Sequence, residues 1–105
     1  MNPKNIVLIE DNPDDEALAL KALQMAHIMN KIVVLRDGAQ AVDYFFGGKD
    51  KGGLDGEPLP AVVLLDLKLP KVDGLEVLRR IRADPKTQYL PVVILTSSNE
   101  ERDLL

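Results

Sequence analysis

The sequence predicts an α/β domain built on an open, doubly wound parallel sheet. Three observations predict it. Four short apolar runs, at 6–9, 32–35, 61–65 and 92–95, are continuous and do not alternate with polar residues, which is the pattern of strands buried on both faces. Helical stretches separate these runs in strict alternation, and that order calls for right-handed crossovers. Polar residues end three of the runs, on the edge where such sheets place their working site.

Taken in order, the first run, Ile6 to Ile9, ends in Glu10 and Asp11. A helix is expected over 14–29, a stretch rich in Ala, Leu, Met, Glu and Lys, with Leu18, Ala22, Met25 and Met29 sharing one face. That face is expected to pack on the core, Met25 and Met29 included. Asp14, Asp15 and Glu16 read as first-turn acids on a solvated face, favourable against the helix dipole. His27 reads as a surface residue near the helix C-terminus and not as a phosphoryl carrier.

After the second run, Asp37-Gly38 is a turn signal. Ala39, Val42 and Phe46 then share one face of a short second helix. The glycine-rich polar segment 47–60 is a loop. It lacks the Gly-x-x-x-x-Gly-Lys-Ser/Thr spacing and opens no helix, so it is no nucleotide loop. The third run ends in Asp66, and a helix is expected over 74–83 with Leu75, Leu78 and Ile81 inward. The fourth run ends in Thr96, after which Ser98 or Asn99 can cap a further helix carrying Glu100 and Glu101 in its first turn.

Composition narrows the function. With 46% hydrophobic and 29% charged residues in 105, the chain reads as one folded soluble domain. A net charge of −4 without a basic run argues against nucleic-acid binding. The absence of cysteine excludes disulfides, thiolate metal sites and thiol nucleophiles and suits a reducing compartment, so the cytoplasm is expected. No stretch approaches the roughly 20 apolar residues of a membrane span.

The topology brings Glu10, Asp11 and Asp66 to one edge. Three carboxylates gathered there repel one another unless a counter-charge is bound. Oxygen ligands with no His or Cys nearby favour Mg²⁺, which takes one or two carboxylates together with phosphate oxygens. The site therefore expects a phosphoryl group.

Ile9-Glu10-Asp11-Asn12-Pro13-Asp14-Asp15, Leu65-Asp66-Leu67-Lys68-Leu69-Pro70 with Asp73-Gly74, and Leu95-Thr96-Ser97, in this order at three strand ends, resemble the receiver domain of two-component response regulators. The long loop before the third run and the Asn12 to Asp15 stretch are most similar to stand-alone receivers associated with bacterial phytochrome kinases. The resemblance implies a flavodoxin-like fold and a switch, not an enzyme, that accepts a phosphoryl group from a sensor histidine kinase on Asp66. It further implies that Asp11 and Asp66 ligate Mg²⁺ directly, Glu10 through a water, and Lys68 through its backbone carbonyl. Thr96 becomes the hydroxyl that moves to the phosphoryl oxygen, and Pro70 and Gly74 shape the loop behind the acceptor.

One departure stands out, because the family carries a phosphoryl-pairing lysine after a fifth strand, then a fifth helix, and this chain reaches neither. Residues 1–105 are thus expected to be a receiver domain incomplete at the C-terminus, with sheet order 2-1-3-4. The bare edge of the fourth strand is expected to pair with another copy of the chain. The alternative function is a receiver-like assembly module that works without phosphorylation. A flavin site is disfavoured by the acids after the first strand, and a metal-dependent hydrolase by Lys68 where such sites carry a second acid.

Overall fold

The structure, a computed structural model, describes residues 4–48, 50, 53–54, 57–69 and 72–95. Its elements follow in strict alternation: β1 (Ile6–Ile9), α1 (Pro13–Met25), β2 (Ile32–Leu35), α2 (Gly38–Phe46), β3 (Val62–Asp66), α3 (Gly74–Ala83) and β4 (Val92–Leu95). All neighbouring strands pair in parallel, in the order β2-β1-β3-β4. This is the expected doubly wound, flavodoxin-like order. Among the described residues no helix is long and apolar enough to cross a membrane.

Alternate residues of a strand point to opposite faces. Val7 and Ile9 of β1 and Val63 and Leu65 of β3 therefore share one face, where they meet Ala41 and Phe45 of α2, Val77 and Ile81 of α3, and Leu90. Fully burying one such aliphatic side chain stabilises the fold by roughly 1.5–3 kcal/mol. Short side chains cap the ends of this layer. Asp37 begins α2 by accepting from the Gln40 N–H at 2.7 Å, and Asp73 begins α3 by accepting from the Leu75 N–H at 3.1 Å.

Several expected packing faces are corrected. In α2 the buried positions are Gly38, Ala41 and Phe45, with Phe46 packed at the margin. In α3 Val77 and Ile81 are buried, Leu78 packs beside them and Leu75 is exposed. In α2 the true face lies one position from the expected one, while in α3 Ile81 and Leu78 face the core as expected and only Leu75 does not, because neighbouring apolar residues allow two overlapping 3.6-residue stripes and only the sheet chooses between them.

The largest departure is α1, which buries none of its residues. Leu18, Met25 and Met29 are 66%, 70% and 87% exposed, and the side turned inward carries Glu16, Ala19, Leu20 and Leu23, all half-buried. The helix also stops at Met25, short of position 29. Its end is closed by the Ile28 N–H on the Leu23 carbonyl and the His27 N–H on the Gln24 carbonyl, both 3.0 Å, with His27 at φ 60°. That pair of bonds with a left-handed residue is the usual helix stop, and glycine normally occupies His27's place. His27 itself is exposed, as expected.

Burial of the strands on both faces holds only for β1. β2 is half-buried throughout, and Val93 and Ile94 of β4 are exposed. Both lie at the margins of the described sheet, where a strand has a neighbour on one side only.

Candidate functional site

The register of β1 on β3 pairs Ile9 with Leu65, so the next residue of each strand, Glu10 and Asp66, stand side by side at the carboxyl edge. The Glu10 N–H donates to the Leu35 carbonyl at 2.9 Å and so ties the end of β1 to β2 as well. Asp11 follows, exposed. One carboxylate oxygen from each of Glu10, Asp11 and Asp66 lies within 4.8 Å of the others. The three acids singled out in the sequence are thus brought together.

Local structure fixes them from both sides. Asn12 caps α1, its Oδ1 accepting from the N–H groups of Asp14 at 2.8 Å and Asp15 at 3.1 Å, while Pro13 occupies the first helical turn. The Asn12 backbone N–H meanwhile donates to Oε2 of Glu10 at 3.2 Å. This double use of Asn12 was not expected, although Asn-Pro at the head of a helix is a legible cap signal. On the other side, the Lys68 N–H donates to Oδ1 of Asp66 at 3.0 Å. Gly74 keeps this turn tight: its N–H donates to the Leu67 carbonyl at 3.1 Å, and a Cβ there would stand 2.5 Å from the Asp66 carbonyl oxygen.

Electrostatics at the cluster are unfavourable for three free acids. Glu10 is 3% exposed, and its carboxyl is pushed up to about 7, chiefly by burial and then by a hydrogen bond shared with Asp66. The charges of Asp66 and Asp15 add to the rise, and the Asn12 N–H opposes it. A buried carboxyl that keeps its proton near neutrality is a group lacking counter-charge. An all-oxygen donor set of this span fits a hard divalent cation, a kind of ion that also takes waters and phosphate oxygens as ligands. Asp66 is half-buried.

Two open cavities of about 600 and 430 Å³ lie away from this edge, around Tyr44, Leu54 and Leu59 and around Phe46, Leu59 and Thr87. Neither contains a residue of the acidic cluster. Lys68 is exposed. Pro70 and Thr96 lie outside the described residues, as does the expected cap at Ser98 or Asn99.

Comparison with known proteins agrees with this geometry. The sequence profile of the response regulator receiver domain matches residues 6–105. Response regulator Rcp1 of Synechocystis sp. is 39% identical over 103 residues, covering 98% of this chain and 68% of Rcp1. The bacteriophytochrome response regulator AtBRR superposes with a TM-score of 0.82 at 48% identity, covering 99% of this chain and 74% of AtBRR. Rcp1 in its Mn(2+)-bound form gives 0.79 at 40% identity over 96% of this chain and 70% of Rcp1. The phosphorylated cyanobacterial phytochrome response regulator RcpA gives 0.79 at 39% identity over 97% of this chain and 71% of RcpA. With a profile match that begins at β1 and spans nearly the whole chain, and with a sheet order and acidic edge of the expected kind, this chain belongs to the response regulator receiver domain family.

Proposed function

We propose that Asp66 accepts a phosphoryl group from a phosphohistidine of a sensor histidine kinase, in a Mg²⁺-dependent reaction, and that the chain acts as a cytoplasmic signalling switch. The observation that carries this is the convergence of Glu10, Asp11 and Asp66 at the carboxyl edge, with Asp66 held by the Lys68 N–H. A carboxylate oxygen of Asp66 attacks phosphorus in line, the P–N bond breaks, and its electron pair returns to the imidazole. Asp11 and Asp66 would ligate the cation directly, the Lys68 carbonyl would add a ligand, and Glu10 would act through a water. Mg²⁺ bound there would supply neutralisation of the carboxylates and of the charge on the phosphoryl oxygens. Asn12 keeps Glu10 turned toward the cluster. The role of Thr96, a hydroxyl that closes on the phosphoryl oxygen, rests on its place directly after β4.

The proteins that resemble the chain support a phytochrome-type kinase as the donor, since AtBRR is a bacteriophytochrome response regulator and RcpA a cyanobacterial phytochrome response regulator. Incubation with Mg²⁺ and acetyl phosphate should yield a hydroxylamine-labile adduct in the wild type and none in Asp66→Asn. Absence of adduct in the wild type sinks the proposal.

A second reading, assembly without phosphorylation, is favoured by β4, where Val93 and Ile94 are 49% and 37% exposed on a strand with one described neighbour. Such an edge can pair with the same strand of another copy. Light scattering should then give a mass that rises with concentration equally in wild type and Asp66→Asn; a monomer throughout removes this reading.

A further inference from the structure

The N-terminus of α2 presses on the connection that carries the acceptor. A Cβ built at Gly38 would lie 1.8 Å from the Val72 carbonyl oxygen, 2.5 Å from its carbonyl carbon and 2.6 Å from its Cβ. No side chain fits there, so backbone meets backbone. Gly38 is buried, and it directly follows Asp37, the buried cap that starts the helix. Its position is therefore set by the end of β2 and the first turn of α2.

On the other side of this contact, Val72 is two residues from Gly74. The Gly74 N–H holds the Leu67 carbonyl at 3.1 Å, and a Cβ at Gly74 would stand 2.6 Å from the Leu67 Cα. Leu67 joins Asp66 to Lys68, whose N–H orients the Asp66 carboxylate at 3.0 Å. These are short, stiff steps: α2 start, Val72, Gly74, Leu67, Lys68 N–H, Asp66 carboxylate. A displacement at the first is passed on through these close contacts, because close-packed backbone transmits strain.

We infer that Gly38 is a positioning residue for the metal and phosphoryl site, its missing side chain letting the start of α2 act as the wall against which the acceptor connection is set. The inference rests on the proposed function above, since it concerns the same site. It also gives α2 a part in signalling: whatever shifts the start of this helix shifts the ligands of the cation.

The test is a divalent-cation titration, with Mg²⁺ and with Mn²⁺, of the wild type, Gly38→Ala and Gly47→Ala, each beside a thermal unfolding curve. Gly47 closes the far end of the same helix, where a Cβ would stand 2.6 Å from the Asp43 carbonyl oxygen. It is a control that strains α2 without reaching the acceptor. Gly38→Ala should weaken cation affinity about tenfold or more, the scale on which groups orienting a metal ligand act. Gly47→Ala should lower the unfolding temperature and leave affinity unchanged.

Equal affinity in wild type and folded Gly38→Ala overturns the inference, as does an equal loss in both glycine variants. If Gly38→Ala does not fold, Val72→Gly removes the Cβ that shares this contact and loosens the backbone opposite Gly38, and unchanged affinity there overturns the inference as well. A wild type that binds no divalent cation fails the proposed function instead, so the two failures are told apart.

Discussion

The layer under α2 and α3 and the rim at the carboxyl edge are made by the same two strands, yet they behave oppositely. Ile9 and Leu65 are wholly buried among hydrocarbon, and the very next residues, Glu10 and Asp66, are acids forced together. One register pairs both couples. The apolar pair pulls the strands together, and the acidic pair opposes that pull until a cation intervenes. A parallel sheet thus uses its packed interior to hold a cluster that would otherwise fly apart, and the site's affinity for positive charge is a consequence of that opposition.

The sharpest way to break the comparison is to weaken the packed layer. Ile81→Ala empties a fully buried position of the core and should destabilise by about 2–5 kcal/mol in denaturant unfolding. The same truncation at Leu18 or Met25, on the exposed side of α1, should shift the midpoint little. A loss at Met25 comparable to that at Ile81 would mean that the Met25 side of α1 is packed and not exposed.

Next in size is the rim. The folded, metal-free protein holds the Glu10 proton up to about 7, while the unfolded chain releases it near 4.5. The native state therefore binds more protons in that window, so the contribution of Glu10 is complete below about pH 4.5 and is lost as pH rises through about 7. A shift of this size corresponds to on the order of 3 kcal/mol. Glu10→Gln should abolish most of that pH dependence and make the metal-free protein more stable than wild type at pH 8. It should also weaken Mg²⁺ binding. Calorimetric scans from pH 4 to pH 8 without and with Mg²⁺ check both, and the stabilisation by Mg²⁺ in the wild type should grow with pH.

Smaller effects sharpen the contrast between built and tolerated features. His27→Gly relieves a left-handed residue at the end of α1 and should stabilise by about 1 kcal/mol or less, read as a higher unfolding midpoint. Glu76 pairs with Arg79 at 2.5 Å and Arg80 at 2.9 Å, which lowers its carboxyl to about 2, but the pair is on the surface of α3. Glu76→Gln should leave the midpoint nearly unchanged at physiological salt, as exposed ion pairs contribute little.

Much of this was legible in the sequence because its signals are local. Continuous apolar runs marked all four strands to within a residue, and the acids that follow two of them marked Glu10, Asp11 and Asp66. Facing was less legible. Leu18, Met25 and Met29 form as good a stripe by spacing as Ala19, Leu20 and Leu23, and nothing within α1 distinguishes the two. The same ambiguity separates Val77 from Leu75 in α3. Gly38 gave only a turn signal, since a glycine's reason for being small lies in whatever approaches it, here Val72, more than thirty positions away.

By itself the sequence determined the alternation of strands and helices, the parallel sheet and the identity of the acids, all of which follow from periodicity and from which residues end which runs. Only the tertiary structure decided which stripe of each helix turns inward, that β1 alone is buried on every side, and that Glu10 is shielded enough to keep its proton near neutrality. The physical reason is that periodicity is a property of a segment, whereas burial, contact and the field at a carboxylate are properties of what surrounds it.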